Sequence, residues 1–209
     1  MSNPYPNLSK TVEKVMRVFE THGGVLRFSE AVRLGVRPGT LRYMVESDQL
    51  EQLARGLYKV KTTPDLSVPD LVIVAAKIPK GVICLVSALD FHGITTHSRG
   101  AVDILLPRGS HAPVLAYPPI QVHSAVRSAY ELGHVCHTID GVDVTFTDPE
   151  KTLVDCVKHR NTLGKDILLE ALRLYRERLP QRLDRLFSYA KTCRVESILR
   201  PYVEAFTHE

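Results

Sequence analysis

"RPGTLRYMVESDQLEQLARGLYKV" runs from Arg37 to Val60. It opens with Pro38 at a first-turn position of a helix. Leu41, Met44 and Val45 follow at i, i+3, i+4, which defines one narrow apolar seam. The stretch closes with "LEQLA" and "LYKV", two strand-like pieces about Arg55-Gly56 that read as a small hairpin. A basic helix with a thin inward seam, followed by a hairpin, is the pattern of a helix that must enter a DNA groove and a wing that must lie beside it.

Upstream, "LSKTVEKVMRVFETHGG" carries Leu8, Val12, Val15, Met16 and Phe19 at helical spacing and ends on Gly23-Gly24. "VLRFSEAVRLGV" reads as a short helix capped by Ser29, with Ala31, Val32 and Leu34 inward and Gly35 as its stop. The turn "RLGV" sets the second and third helices near a right angle. Three helices and a hairpin over residues 1–62 predict a winged helix-turn-helix. "MSNPYPN" is a Pro-rich lead-in.

The wheel of the third helix turns Gly39, Tyr43 and Glu46 outward, with Thr40, Arg42 and Ser47 on the flanks. Arg42 and Tyr43 suit base edges or phosphates. Arg37 precedes the helix and suits a phosphate. Arg55 at the hairpin tip suits phosphate or the minor groove, with Lys59 and Lys61 close by. The competing reading is a protein-interaction module with a solvated basic face.

Whole-chain composition is that of an ordinary globular protein: 209 residues, 44% hydrophobic and 24% charged, with a net charge of +4. The distribution of charge says more than the total. Residues 27–61 hold seven basic against four acidic side chains (+3), residues 66–150 five against eight (−3), and residues 151–200 twelve against six (+6). The four cysteines form no C-x-x-C pair and no signal-peptide pattern precedes them, so reduced thiols in a cytoplasmic protein are expected. No apolar run approaches the roughly 20 residues that span a bilayer.

"KTTPDLSVPD" (residues 61–70) is polar, holds two prolines and predicts a linker at 63–69. Beyond it, residues 70–209 read as a mixed α/β domain with a helical end, so the fold class is α+β. "LVIVAAKI" reads as a buried helix from Pro69-Asp70. "GVICLV" and "AVDILLP" read as buried strands, with "SALDFHGI" a short helix between them. "VLAYPPIQVHS" adds a strand-like piece, and "HVCHTIDGVDVTF" a hairpin about Asp140-Gly141. "DPEKTLVDCVKHR" opens a helix with Asp148 as N-cap and Pro149 at N1. The pattern stays helical from Lys165, with breaks at Pro180 and near Arg194.

The stretch "GGVLRFSEAVRLGVRPGTLRYMVESDQLEQLARGLYKV" resembles the N-terminal domain of the abortive-infection AbiEi antitoxin family. "PKGVICLVSAL", "VDILLPRG", "DPEKTLVDCVKHRN" and "RVESILRPYVEA" resemble that family's C-terminal domain. The resemblance implies a head that represses its own operon and a second domain that counteracts a nucleotidyltransferase toxin encoded beside it. It makes the polar face Lys151, Asp155, Lys158 and Arg160 a candidate docking surface for that toxin, against a plain wet face. Asp155 and His159 stand at i, i+4 and can pair. The arginines of residues 173–200 could extend a DNA footprint, meet an acidic toxin or simply be solvated.

No catalytic residue, metal ligand set or cofactor site is expected. There is no G-x-S-x-G, P-loop or G-x-G-x-x-G. His134 and His137 fall on opposite faces of a strand, and Cys156 lies on an apolar helix. A metal-dependent nuclease would draw on Asp103 and Asp143, but neither is followed by Glu-x-Lys. The reading is therefore a repressor and antitoxin that binds operator DNA, with two copies on an inverted repeat, by dimerisation or cooperative binding. A nuclease with a DNA-binding head and a regulator without a toxin are the alternatives.

Overall fold

The computed structural model describes residues 6–207, so the lead-in at residues 1–5 lies outside the described residues, as does the side chain of Leu8. The chain forms two compact units: residues 1–79 with 138–144, and residues 80–137 with 145–209.

The first unit holds α1 (Pro6–Glu20), β1 (Val25–Arg27), α2 (Phe28–Arg33), α3 (Pro38–Glu46), β2 (Leu50–Ala54), β3 (Leu57–Val60) and α4 (Pro69–Lys77). Val15 and Phe19 of α1 pack with Ala31, Val36, Leu41 and Met44, all buried, to make its first core. The three strands form one antiparallel sheet in the order β1-β3-β2. β1 is not foreseen from the sequence: its three residues run directly into the helix that follows. Residues Val25 to Arg27 pair with Lys59 to Leu57, which makes β3 the central strand.

α2 differs from expectation in two ways. Its N-cap is Arg27, whose N–H donates to the Glu30 carboxylate at 3.2 Å, so Ser29 does not cap it. Val32 and Leu34 are 40% and 36% exposed, and Val36 is buried in their place. A six-residue helix has room for only one inward side chain, Ala31.

α4 is apolar on nearly every face, with Val72 to Ala76 all buried. Its Ile73 and Ala76 share a second core with Val25 and Leu57, and Val142 packs on it. The unit therefore extends through Pro79, beyond the linker expected at 63–69. The segment 138–144 belongs to the same unit. Both hydrogen-bond donors of Ser67, its N–H and its hydroxyl, reach the Asp140 carboxylate, at 2.8 and 2.9 Å. Gly23 and Gly141 meet backbone to backbone with φ of +79° and +77°.

The second unit is built on β4 (Val82–Ile83), α5 (Leu85–Phe91), β5 (Val102–Pro107), β6 (Ile120–Ala125), α6 (Arg127–Tyr130), β7 (His134–Ile139) and β8 (Val142–Thr147), the turn between the last two being the 138–144 segment already described. The sheet order is β6-β5-β4-β8-β7. β4 runs antiparallel to β5 and parallel to β8, and β5 runs parallel to β6. Five helices complete the unit: α7 (Pro149–Lys158), α8 (Arg160–Leu163), α9 (Lys165–Arg178), α10 (Leu183–Thr192) and α11 (Glu196–Thr207). Asp148 caps α7 by accepting the Lys151 N–H at 2.7 Å, and Pro149 follows it. α7 is the centre of the core: Leu153, Val154, Cys156 and Val157 are fully buried, with Leu168 and Ala171 of α9, Ala190 of α10 and Leu199 of α11 in the same cluster.

Candidate nucleic-acid interface

Leu41 and Met44 anchor α3 in the core and so fix which residues it turns outward. Arg37, in extended conformation, is the N-cap, and Pro38 starts the helix. Arg37, Gly39, Arg42, Tyr43, Glu46 and Ser47 are exposed, and Thr40 is half-buried. Tyr43 presents 39% of its surface to solvent. The Ser47 hydroxyl donates to the Tyr43 carbonyl at 2.8 Å, so it closes the end of the helix. Val45 is half-buried rather than buried.

Arg55 stands exposed at the turn between β2 and β3. Its carbonyl accepts from the Lys77 ammonium, and the neighbouring Gly56 carbonyl accepts the Phe28 N–H at 2.8 Å. The turn is thus tied down through its backbone while its guanidinium is left outside. Among the described residues the head has the ion pairs Arg27–Glu30, Lys59–Glu51, Lys59–Asp65 and Lys61–Asp48, and none of these involves Arg37, Arg42 or Arg55. Three guanidiniums and one aromatic ring therefore face solvent from one helix and one turn.

One of the expected contacts is corrected, and a second carries an ion pair. Lys59 is only 3% exposed. It lies on the central strand, on the same face as Leu57, and its ammonium sits 3.4 Å from Asp65 and 3.7 Å from Glu51. Its charge is spent inside the head. Lys61 is exposed but pairs with Asp48 at 2.7 Å, and that hydrogen bond raises its pKa, so its charge is already met. Phe28 is a residue that sequence reasoning missed: it is 41% exposed and lies beside the Gly56 turn. Its signal was hidden by the same run of residues that hid β1.

In the second unit the expected docking face does not exist as a face. Lys151 is fully buried and pairs with Asp155, which is only 6% exposed. α5, α9, α10 and α11 all pack against α7, so no side of it is left for solvent along those residues. Lys158 is exposed, and Arg160 is half-buried with its guanidinium on the Val157 carbonyl at 3.0 Å. Asp155 takes Lys151 rather than His159, whose ring instead lies edge-on to His123 at 5.3 Å between centroids.

Much of the basic C-terminal region is engaged internally. Arg173 pairs with Glu177, Arg185 with Asp148 and Arg200 with Glu196, while Arg178 donates to the Gly93 carbonyl at 2.8 Å. Each of the two candidate nuclease carboxylates has a partner on one oxygen. Asp103 is fully buried, with Oδ1 accepting from His123 at 2.8 Å and Oδ2 left without a hydrogen bond among the described residues, and Asp143 accepts from the Thr138 hydroxyl at 2.8 Å. Burial pushes the Cys84 and Cys156 thiols well up, which makes them inert packing groups. Among the described residues no three His, Cys, Asp or Glu side chains stand where they could hold a metal ion. No described helix is long and apolar enough to cross a membrane.

The histidines give this unit a pH signature. Burial holds His92 below its ordinary value of 6.5, against the opposing pull of the Thr147 carbonyl. Burial, aided by His123, does the same to His159. The folded state therefore binds fewer protons than the unfolded chain once the pH falls below 6.5. Thermal unfolding should show a Tm that is level just above neutrality and drops as pH falls below 6.5. Substituting Gln at His92 should shrink that drop. An equal drop in both proteins would remove His92 from the account.

Residues 13–60 match the family described as transcriptional regulator, AbiEi antitoxin. No curated protein sequence matches the chain. Among solved structures, the RV2827C protein from Mycobacterium tuberculosis is similar in fold, with a TM-score of 0.53 at 15% identity, over 95% of this chain and 81% of that one.

Proposed function

We propose that this chain, with its AbiEi-type regulator head at residues 13–60, is a winged helix-turn-helix repressor that silences its own operon. The observation that carries the reading is the set of three unpaired guanidiniums, Arg37, Arg42 and Arg55, displayed with Tyr43 by α3 and the β2–β3 turn. α3 enters a major groove, where Arg42 and Tyr43 reach base edges. Arg37 and Arg55 hold phosphates on either side. Thr40 and Ser47 line the flanks of the helix. One such head reads only a few base pairs, so two copies act on an inverted repeat. The chain works by binding in the cytoplasm, without a cofactor or catalytic group. Its second unit counteracts a nucleotidyltransferase toxin, a role that rests on the family resemblance.

Fluorescence anisotropy with the chain's own promoter tests the head. Arg42→Ala should cost about 1–3 kcal/mol of discrimination at one base position. Arg55→Ala should weaken operator and scrambled DNA alike and lower the salt slope by about 1. Lys59→Met should leave base discrimination unchanged, because its ammonium faces Glu51 and Asp65. Indifference of the wild type to its own promoter would sink the repressor reading.

A further inference from the structure

α1 turns Val15 and Phe19 into the core, with Val12 and Met16 packed against it. Its opposite side carries Lys10, Lys14 and Arg17 at i, i+4 and i+7, all exposed, with Thr21 next along the same row. These four residues, with Glu13 and Val18, line one shallow groove. Among the described residues no ion pair engages the three cations. One carboxylate, Glu13, against three cations leaves the groove with a net charge of +2. Four arginines of the second unit, Arg127, Arg173, Arg185 and Arg200, are by contrast met by carboxylates.

We propose that this row on α1 is a second anion rail of the head, which grips the phosphate backbone of the duplex flanking the bases read by α3. The proposal rests on the DNA-binding reading of the head and adds a partner surface that α3 and its wing do not supply. The seven-residue span from Lys10 to Arg17 is about 10 Å along the helix, at 1.5 Å per residue. That length covers about three phosphates of one strand, at 3.4 Å of duplex axis each. α1 and α3 turn their inward sides to one core, so the outward row of α1 is a surface separate from that of α3. On this proposal the row holds backbone outside the base pairs that α3 reads.

A duplex is favoured over an acidic protein by what the row lacks. Protein interfaces centre on aromatic and aliphatic anchors. Among the described residues the exposed large apolar side chains of the first unit are Phe28, Val32, Leu34, Tyr43 and Val68, and none of them is on α1. A single file of cations without an apolar centre fits a polyanion.

The test is anisotropy of the full chain on two duplexes that share the operator centre, one of about one helical turn (~10 base pairs) and one of about 25. The variant is K10Q/K14Q/R17Q, whose residues are exposed, and circular dichroism melting confirms an unchanged fold. On the long duplex the variant should lose at least about tenfold in affinity at 0.1 M salt, and its salt slope should fall by about 2.7, three contacts at 0.9 each. Operator and scrambled sequences should lose equally. On the short duplex the variant and the wild type should agree. An unchanged slope on the long duplex overturns the rail while leaving the head's DNA reading intact, and the row is then a solvated face or a protein-docking face. Failure of the wild type to bind either duplex in a salt-dependent way overturns both.

Discussion

Lys151→Met should destabilise the chain by about 3–5 kcal/mol, a large fraction of the about 5–15 kcal/mol that holds a domain folded. The Lys151 ammonium is fully buried, and its partner is Asp155 one helical turn on. Removing the cation leaves a carboxylate that is 6% exposed with its counter-charge gone. Little water can reach it in compensation, since α7 is packed against four other helices. The discriminating measurement is the double variant Lys151→Met with Asp155→Leu. Replacing both members of a buried pair with apolar groups of similar size is often close to neutral. Chemical denaturation should therefore show a large loss in the single variant and most of it restored in the double. If the double variant is no more stable than the single, the charge pair is not the cause and a packing defect is.

The second large effect is expected where the backbone of the head meets the turn of the β7–β8 hairpin. Gly141→Ala should cost about 2–5 kcal/mol, from two additive sources. The residue has φ of +77°, where an L side chain pays about 1–2 kcal/mol. A Cβ there would also fall 2.5 Å from the Gly23 Cα and 2.8 Å from its carbonyl oxygen, both backbone atoms that cannot rotate aside. Overpacking of that kind adds about 1–3 kcal/mol. Gly35→Ala is the control: its φ is +87° but nothing lies within 4 Å of an added Cβ. The difference in unfolding free energy between the two variants isolates the backbone contact. Equal losses would mean that only the dihedral matters and that the two glycines do not press on one another.

The parts of the molecule that could be read from sequence are those governed by one neighbour at a time. The seam Leu41–Met44, the cap Asp148-Pro149 and the Asp140-Gly141 turn depend on local spacing, and each forms where spacing puts it. The readings that failed involve a second or third layer. A hairpin of two strands leaves one face open, which would put Lys59 outside. β1 on one side and α4 in the second core of the head close that face, and the ammonium is held by Glu51 and Asp65 instead. Lys151 and Asp155 were placed outside because a wheel assigns polar residues to solvent. A helix surrounded on all sides has no solvent side, and its charges then pair with each other. Val32 and Leu34 failed in the opposite direction, because α2 is too short to bury a full stripe.

The composition of the first unit from two stretches far apart in the chain bears on how such a regulator can be dissected or recombined. A fragment cut at the end of α4 would carry every residue of α3 and of the β2–β3 hairpin yet lack Val142 over Val25, Leu57 and Ile73, and lack the carboxylate that holds Ser67. The head is thus no interchangeable cassette. Domain swapping between relatives, or trimming the protein to a minimal binder, must transplant a distant seven-residue loop along with it, and a graft that omits that loop would inherit a sticky, partly unzipped module.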